Sequence, residues 1–169
     1  MSKIEGNIVG YSDRELAKTH KQLQPATDRQ SVLIRQDFET LTTQGYVIIE
    51  DLLTPEQCDE IKNSCLPLMS HTGRNNFEGE KTQRLYNVLA KTRCIDNLAD
   101  HPRILGLMDL LFKPNFLLSQ SQVINILPGE KQQALHFDDG FYQIPRPRPP
   151  LGAASIWAID DFTKENGAT

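Results

Sequence analysis

The feature that most constrains this chain is a switch in hydrophobic period around Pro114. Upstream, apolar side chains return at the spacing of one helix face. Val32, Ile34, Phe38 and Leu41 are placed this way over 32–44, and Gly45 follows as a C-terminal cap. Thr54-Pro55-Glu56-Gln57 spells a helix start: a hydroxyl N-cap, proline at the first helical position, and a glutamine that completes a capping box. Ile61, Cys65, Leu68 and Met69 form the expected buried stripe of that helix. Ile104, Leu107, Met108 and Leu111 share one side of another helix over 103–112, which must end before Pro114. Downstream, 116–127 and 153–159 read as strands, with a proline-rich stretch over 144–150 between them. A short β-branched strand is expected at 46–49 and a polar loop over 70–81, whereas 83–91 and 95–98 fit helix or strand equally. Helices first and strands last predict an α+β fold whose strands close a jelly roll, with about half of such a barrel in view.

Between the two late strands lies 127–150, LPGEKQQALHFDDGFYQIPRPRPP, centred on His136-Phe137-Asp138. On a strand, residues two apart share a face, so His136 and Asp138 would project together. An imidazole and a carboxylate on one face are two members of the 2-His-1-carboxylate set that holds non-haem Fe(II) and leaves positions open. Asp139 would point the other way and serve as a supporting hydrogen-bond partner. Alone, H-x-D is a weak motif, because any surface strand can carry two outward polar residues.

The flanks add to it. Asn125 and Pro128-Gly129 precede the triplet, Glu165-Asn166-Gly167 follows it, and a looser pattern runs back through Gly45-Tyr46-Val47 to Leu53-Thr54-Pro55-Glu56-Gln57. In these stretches the chain resembles the phytanoyl-CoA dioxygenase family of Fe(II)/2-oxoglutarate oxygenases. The resemblance implies N-terminal helices packed on a double-stranded β-helix, the cupin-like jelly roll. It implies iron held by His136 and Asp138, 2-oxoglutarate and molecular oxygen as cosubstrates, and ascorbate as a further candidate. The expected reaction hydroxylates a C–H bond of a small organic substrate and releases succinate and CO2. Asn125, Lys91 and Tyr142 are the cofactor-binding candidates, each with a plainer alternative. Asn125 could satisfy its own turn, Lys91 could be a solvated lysine, and Tyr142 could pack at an edge. Trp157 reads as barrel core. Members of the family continue into a Pro-Gly-Ser-His stretch bearing a second iron histidine, then an arginine for 2-oxoglutarate; this sequence stops at Thr169, before both. The expected organisation is a polar arm over 1–30, with a short helix at 13–24, and over 31–169 the N-terminal and central part of one domain, incomplete at its C-terminus.

Two other readings compete. A truncated jelly roll could survive as a non-catalytic binding or interaction module, because two ligands on one strand bind iron poorly and open strand edges invite partners. A hydrolytic zinc site using His136 and Asp138 is the weaker of the two, as neither a third ligand nor an H-E-x-x-H is present. His20, His71 and His101 lack the strand context of the missing histidine. Arg146 and Arg148, set among prolines, could grip an anionic substrate or form a rigid solvated loop.

A net charge of −4 with 24% charged residues carries no basic footprint for nucleic acid. No apolar run approaches the roughly 20 residues of a membrane span, and the N-terminus has no apolar secretory core. Cys58 and Cys65 lie too far apart along a helix to pair, so Cys58, Cys65 and Cys94 are expected to be reduced packing residues of a cytoplasmic protein. The expected partner is a small-molecule substrate, and the sequence sets no oligomeric state.

Overall fold

A computed structural model describes residues 28–69, 71–112 and 116–166. The helix expected at 13–24 and nearly all of the arm expected over 1–30 lie outside the described residues. The first element, α1 (Asp28–Gln44), ends where the Gly45 N–H donates to the Leu41 carbonyl at 2.9 Å. Gly45 holds φ at 86°, a left-handed value that glycine adopts without strain. Then α2 (Pro55–Cys65) opens on the capping box read from the sequence. The Gln57 N–H donates to Thr54 Oγ1 at 3.3 Å and the Thr54 N–H to Gln57 Oε1 at 2.9 Å. A 3₁₀ turn (Leu66–Leu68) follows directly.

The ambiguous stretch after the polar loop resolves into both states. β1 (Thr82–Tyr86) is followed by a 3₁₀ turn (Val88–Ala90) entered through Asn87 in left-handed conformation. Next come the short α3 (Asp96–Ala99), α4 (Pro102–Leu111) and β2 (Gln122–Ile126). β1 and β2 form an antiparallel two-stranded ladder in which Leu85 faces Val123 and Gln83 faces Asn125. Helices plus a small antiparallel sheet make an α+β arrangement.

Two packed groups hold it. α1 crosses α4 where Ile34 lies against Gly106, a glycine with no Cβ to hold it off. Beside that contact, the Arg103 fork grips the Asp37 carboxylate at 2.6 and 2.9 Å. The second group joins α2 to the ladder: Ile61, Cys65, Leu85 and Val88 are buried, with Leu53, Met69, Cys94 and Val123 against them. The alternation of β1 and β2 accounts for this. Leu85, Val123, Gln83 and Asn125 share the face toward α2, while Arg84, Ile124 and Ile126 share the other.

Four expected strands differ from what is found. Residues 46–49 form none, and Tyr46 and Ile48 are exposed. The strand expected over 116–127 is confined to Gln122–Ile126. Residues 153–159, and the segment around His136, have no regular structure. The reason is common to all: a strand is completed by a ladder partner, and among the described residues only β1 and β2 form a continuous ladder, beside isolated bridges at Thr72–Gln83 and Asn75–Gly79. No helix among the described residues is long and apolar enough to cross a membrane.

Candidate metal centre

The motif segment leaves β2 through a turn at Pro128-Gly129, where Gly129 takes a φ of 81° and the Glu130 N–H reaches the Leu127 carbonyl at 3.2 Å. Glu130 then fastens the segment back onto β1. Its Oε2 accepts from the Lys81 N–H at 2.5 Å and Thr82 Oγ1 at 2.9 Å, and its Oε1 from the Lys131 N–H at 2.8 Å. These bonds, led by the Lys131 amide, hold the Glu130 carboxyl below the usual carboxylate range. Gly79 makes the approach feasible, since a side chain there would meet the Glu130 carboxylate and Thr82 Oγ1. Farther on, Gln133 Nε2 donates to the Phe77 carbonyl at 2.9 Å. Phe77 belongs to the polar loop, which Asn75 Oδ1 tightens by accepting from the N–H groups of Phe77 (3.0 Å) and Glu78 (2.8 Å).

His136 emerges at the end of this path with its ring edge-on to Phe77, centroids 5.0 Å apart. Its Nδ1 lies 2.8 Å from the Ala134 carbonyl oxygen. A carbonyl can only accept, so Nδ1 carries a hydrogen, and Nε2 is the ring nitrogen turned toward Asp138. Nε2 is 3.3 Å from Asp138 Oδ1. The convergence foreseen from strand geometry therefore occurs without a strand. A tight turn brings the two residues together: the Gly140 N–H donates to the Phe137 carbonyl at 3.0 Å and the Tyr142 N–H to the Asp139 carbonyl at 3.1 Å. Both side chains are open to solvent, the imidazole at 36% and the carboxylate at 83%.

Asp139 takes no part in that pair's contact and receives two arginines. Arg146 Nη2 lies 2.5 Å from Oδ1, and Arg148 Nη1 lies 2.6 Å from Oδ2. The Arg148 guanidinium is the chief reason the Asp139 carboxyl sits below its ordinary range. Arg148 also donates to the Ile144 carbonyl at 3.1 Å, and the Arg146 guanidinium lies 4.5 Å from the Phe137 ring centre. Both arginines are thus engaged in holding the turn, in place of the free anion grip considered from sequence. The Arg146–Pro147 peptide bond within this staple is cis.

The remaining candidates are scattered. Asn125 lies on the α2-facing side of β2, where Nδ2 donates to Gln83 Oε1 at 2.8 Å across the ladder, so it satisfies a neighbouring strand and not its own turn. Lys91 closes the Val88–Ala90 turn with an exposed side chain. Tyr142 stacks on Phe141 with centroids 4.4 Å apart. Among the described residues no hydrogen bond joins any of these three to His136 or Asp138, and no group of three His, Cys, Asp or Glu side chains is placed to hold a metal. Trp157 is half-buried against the edge of His101, with ring centroids 5.6 Å apart. Sequence reading missed Glu130, the two-arginine staple and Gln133 as supports of the motif. A single signal was available for the staple: two arginines at i and i+2, seven and nine residues after an acid.

Comparison with known proteins places the chain in a family. The family profile described as phytanoyl-CoA dioxygenase (PhyH) matches residues 41–169. The chain is 28% identical over 149 residues to Dioxygenase olcK of Penicillium canescens, covering 78% of this chain and 49% of that protein. It is 27% identical over 156 residues to Dioxygenase FrzG of Cladobotryum sp, covering 78% of this chain and 51% of that one. The chain thus spans about half the length of the curated relatives it matches. No solved structure matches it significantly. With the profile running from the end of α1 through the His136–Asp138 turn to the last residue, the chain belongs to the phytanoyl-CoA dioxygenase family.

Proposed function

We propose that the whole protein is an Fe(II)- and 2-oxoglutarate-dependent dioxygenase that hydroxylates a C–H bond of a small organic substrate. His136 and Asp138 are its iron ligands in this reading. The observation that carries it is the 3.3 Å convergence of His136 Nε2 and Asp138 Oδ1, with Nδ1 held on the Ala134 carbonyl so that Nε2 is the nitrogen directed at the carboxylate. One imidazole nitrogen and one carboxylate on a tight turn fit two positions of a facial triad. Iron, when bound, supplies the redox chemistry by which oxygen and 2-oxoglutarate are consumed, giving succinate and CO2. The chain's own residues bind and orient. Glu130 and Gln133 fix the approach to His136, and the Asp139 staple fixes the turn beyond Asp138.

Residues 31–169 are, on this reading, the N-terminal and central part of one jelly-roll domain. The third protein ligand and the arginine for the distal carboxylate of 2-oxoglutarate are assigned to sequence outside this chain. Exposed apolar side chains on the late segments, among them Leu135, Phe137, Ile156 and Phe162, support such a completion, since a barrel would cover them. Tyr142, on the turn beside the ligand pair, is assigned to cover the cosubstrate. Asn125 retains a second Nδ2 hydrogen for a carboxylate oxygen, and the exposed Lys91 ammonium is a candidate counter-charge.

The test is oxygen uptake by the whole protein with Fe(II), 2-oxoglutarate and ascorbate, with succinate measured alongside. Succinate formed in step with oxygen consumed, and lost in H136A, is the expected result. Absence of any 2-oxoglutarate turnover would overturn the reading and return the domain to a non-catalytic binding role.

A further inference from the structure

The three cysteines are free, and two of them meet. Cys65, the last residue of α2, and Cys94, in the turn ahead of α3, place their Sγ atoms 3.6 Å apart across a chain separation of 29 residues. Cys58 lies elsewhere on α2 and takes no part. The pair is held from both sides. Cys65 is 1% exposed within the Ile61–Leu85–Val88 cluster, and Cys94 is fixed by its N–H donating to Thr92 Oγ1 at 3.3 Å. A disulfide needs its sulfurs at about 2.05 Å, so oxidation has to draw the two sulfurs together by about 1.5 Å. The two sulfurs also differ in access. Cys94 is only partly buried, and a cavity of about 60 Å³ opens beside Cys65, lined by Ile61, Lys62, Met69 and Val123 as well.

We propose that Cys65 and Cys94 are an oxidation site: a dithiol that a two-electron oxidant of the hydroperoxide class converts to an intramolecular disulfide. Cys94, the more accessible thiol, attacks first as its thiolate. An S–O bond forms, the peroxide O–O bond breaks, and hydroxide leaves to become water, giving a sulfenic acid. Cys65 sulfur then attacks Cys94 sulfur; the S–S bond forms, the S–O bond breaks, and the Cys65 proton departs with the oxygen as a second water. Two thiols lose two electrons and one peroxide gains them. The order of roles agrees with burial, which pushes the Cys65 thiol up to about 12 and keeps it protonated until its partner is activated. Closing the loop between the two cysteines ties the end of α2 to the segment after β1 and restricts the unfolded chain.

The experiment treats the protein with graded hydrogen peroxide, blocks remaining thiols with an alkylating agent, and maps peptides without reduction. The expected result is loss of two of three alkylatable thiols, a linked peptide containing Cys65 and Cys94, and Cys58 still alkylated. Dithiothreitol should reverse the change, and the oxidised protein should melt several degrees higher. C94S should abolish the linked peptide while leaving Cys65 alkylatable after denaturation; C65A tests the same bond from the buried side should C94S misfold. Cys94 advancing to sulfinic acid with no linked peptide, or Cys58 reacting at doses that leave both partners as thiols, would overturn the proposal.

Discussion

The packed part of the chain from α1 to α4 and the motif-bearing part after residue 116 hold their shape by different means. Every side chain that is both apolar and buried among the described residues, from Ile34 to Leu107, belongs to the first. The second buries none of its large apolar residues, and Leu135 is 97% exposed. Val123 and Ile159 do lean on the packed core, but beyond β2 the motif segment is ordered by polar fasteners: Glu130 on β1, Gln133 on the Phe77 carbonyl, and Asp139 between two arginines. The lesson concerns division of labour. Burial builds a platform that resists unfolding, while hydrogen bonds on an exposed segment aim two side chains without covering them. A ligand pair needs aim and access, and burial would remove the access.

Breaking the proposed ligand pair should have the largest effect and fall on function alone. H136A or D138A in the whole protein should lower 2-oxoglutarate turnover by more than the roughly 10–100-fold of losing an outer-shell support, with the melting midpoint unchanged. The mirror experiment is L85A, which empties a site 2% exposed in the platform. It should cost about 3 kcal/mol in chemical denaturation, while I124A on the open face of the same ladder should cost under about 1 kcal/mol. D139N should sharpen the contrast from the motif side. Weakening both arginine bonds should lower turnover by about 10-fold, with the denaturation midpoint little changed. T54A removes one half of the capping box and should destabilise the platform by about 1 kcal/mol, with turnover per folded molecule unaffected.

The smallest predicted effect is on pH dependence and belongs to His101. Burial, then the nearby Arg103 charge, lowers its affinity for a proton below the ordinary 6.5, and its Nδ1 is enclosed without a partner. The unfolded chain therefore binds the proton more readily than the folded one, and stability falls as pH drops through about 6.5. Denaturant midpoints measured from pH 7.5 to pH 5 should show this slope, and H101N should flatten it.

Local signals in the sequence were enough for the platform. Thr54, Pro55 and Gln57 mark the start of α2 and Gly45 the end of α1, because caps are made by residues within four positions of one another. The strands were harder. The residues around His136 and 153–159 have strand-like composition, yet a strand depends on a partner that composition does not reveal. Convergence of His136 with Asp138 was legible, though through the wrong geometry: a turn does what the expected pleat would have done. Contacts spanning many residues were invisible. Glu130 reaches Lys81 and Thr82 across 49 and 48 positions, and Cys65 meets Cys94 across 29. Nothing local in the chain announces such pairs.

The most direct test of the account is anaerobic Fe(II) binding by the whole protein, compared with its H136A and D138A variants at matched stability. One iron per wild-type chain is expected, with affinity lowered at least about 10-fold in each variant, because one donor of a small ligand set is removed. Iron bound equally well by all three would contradict it, and would move the metal centre away from the turn that Glu130 and Asp139 hold in place.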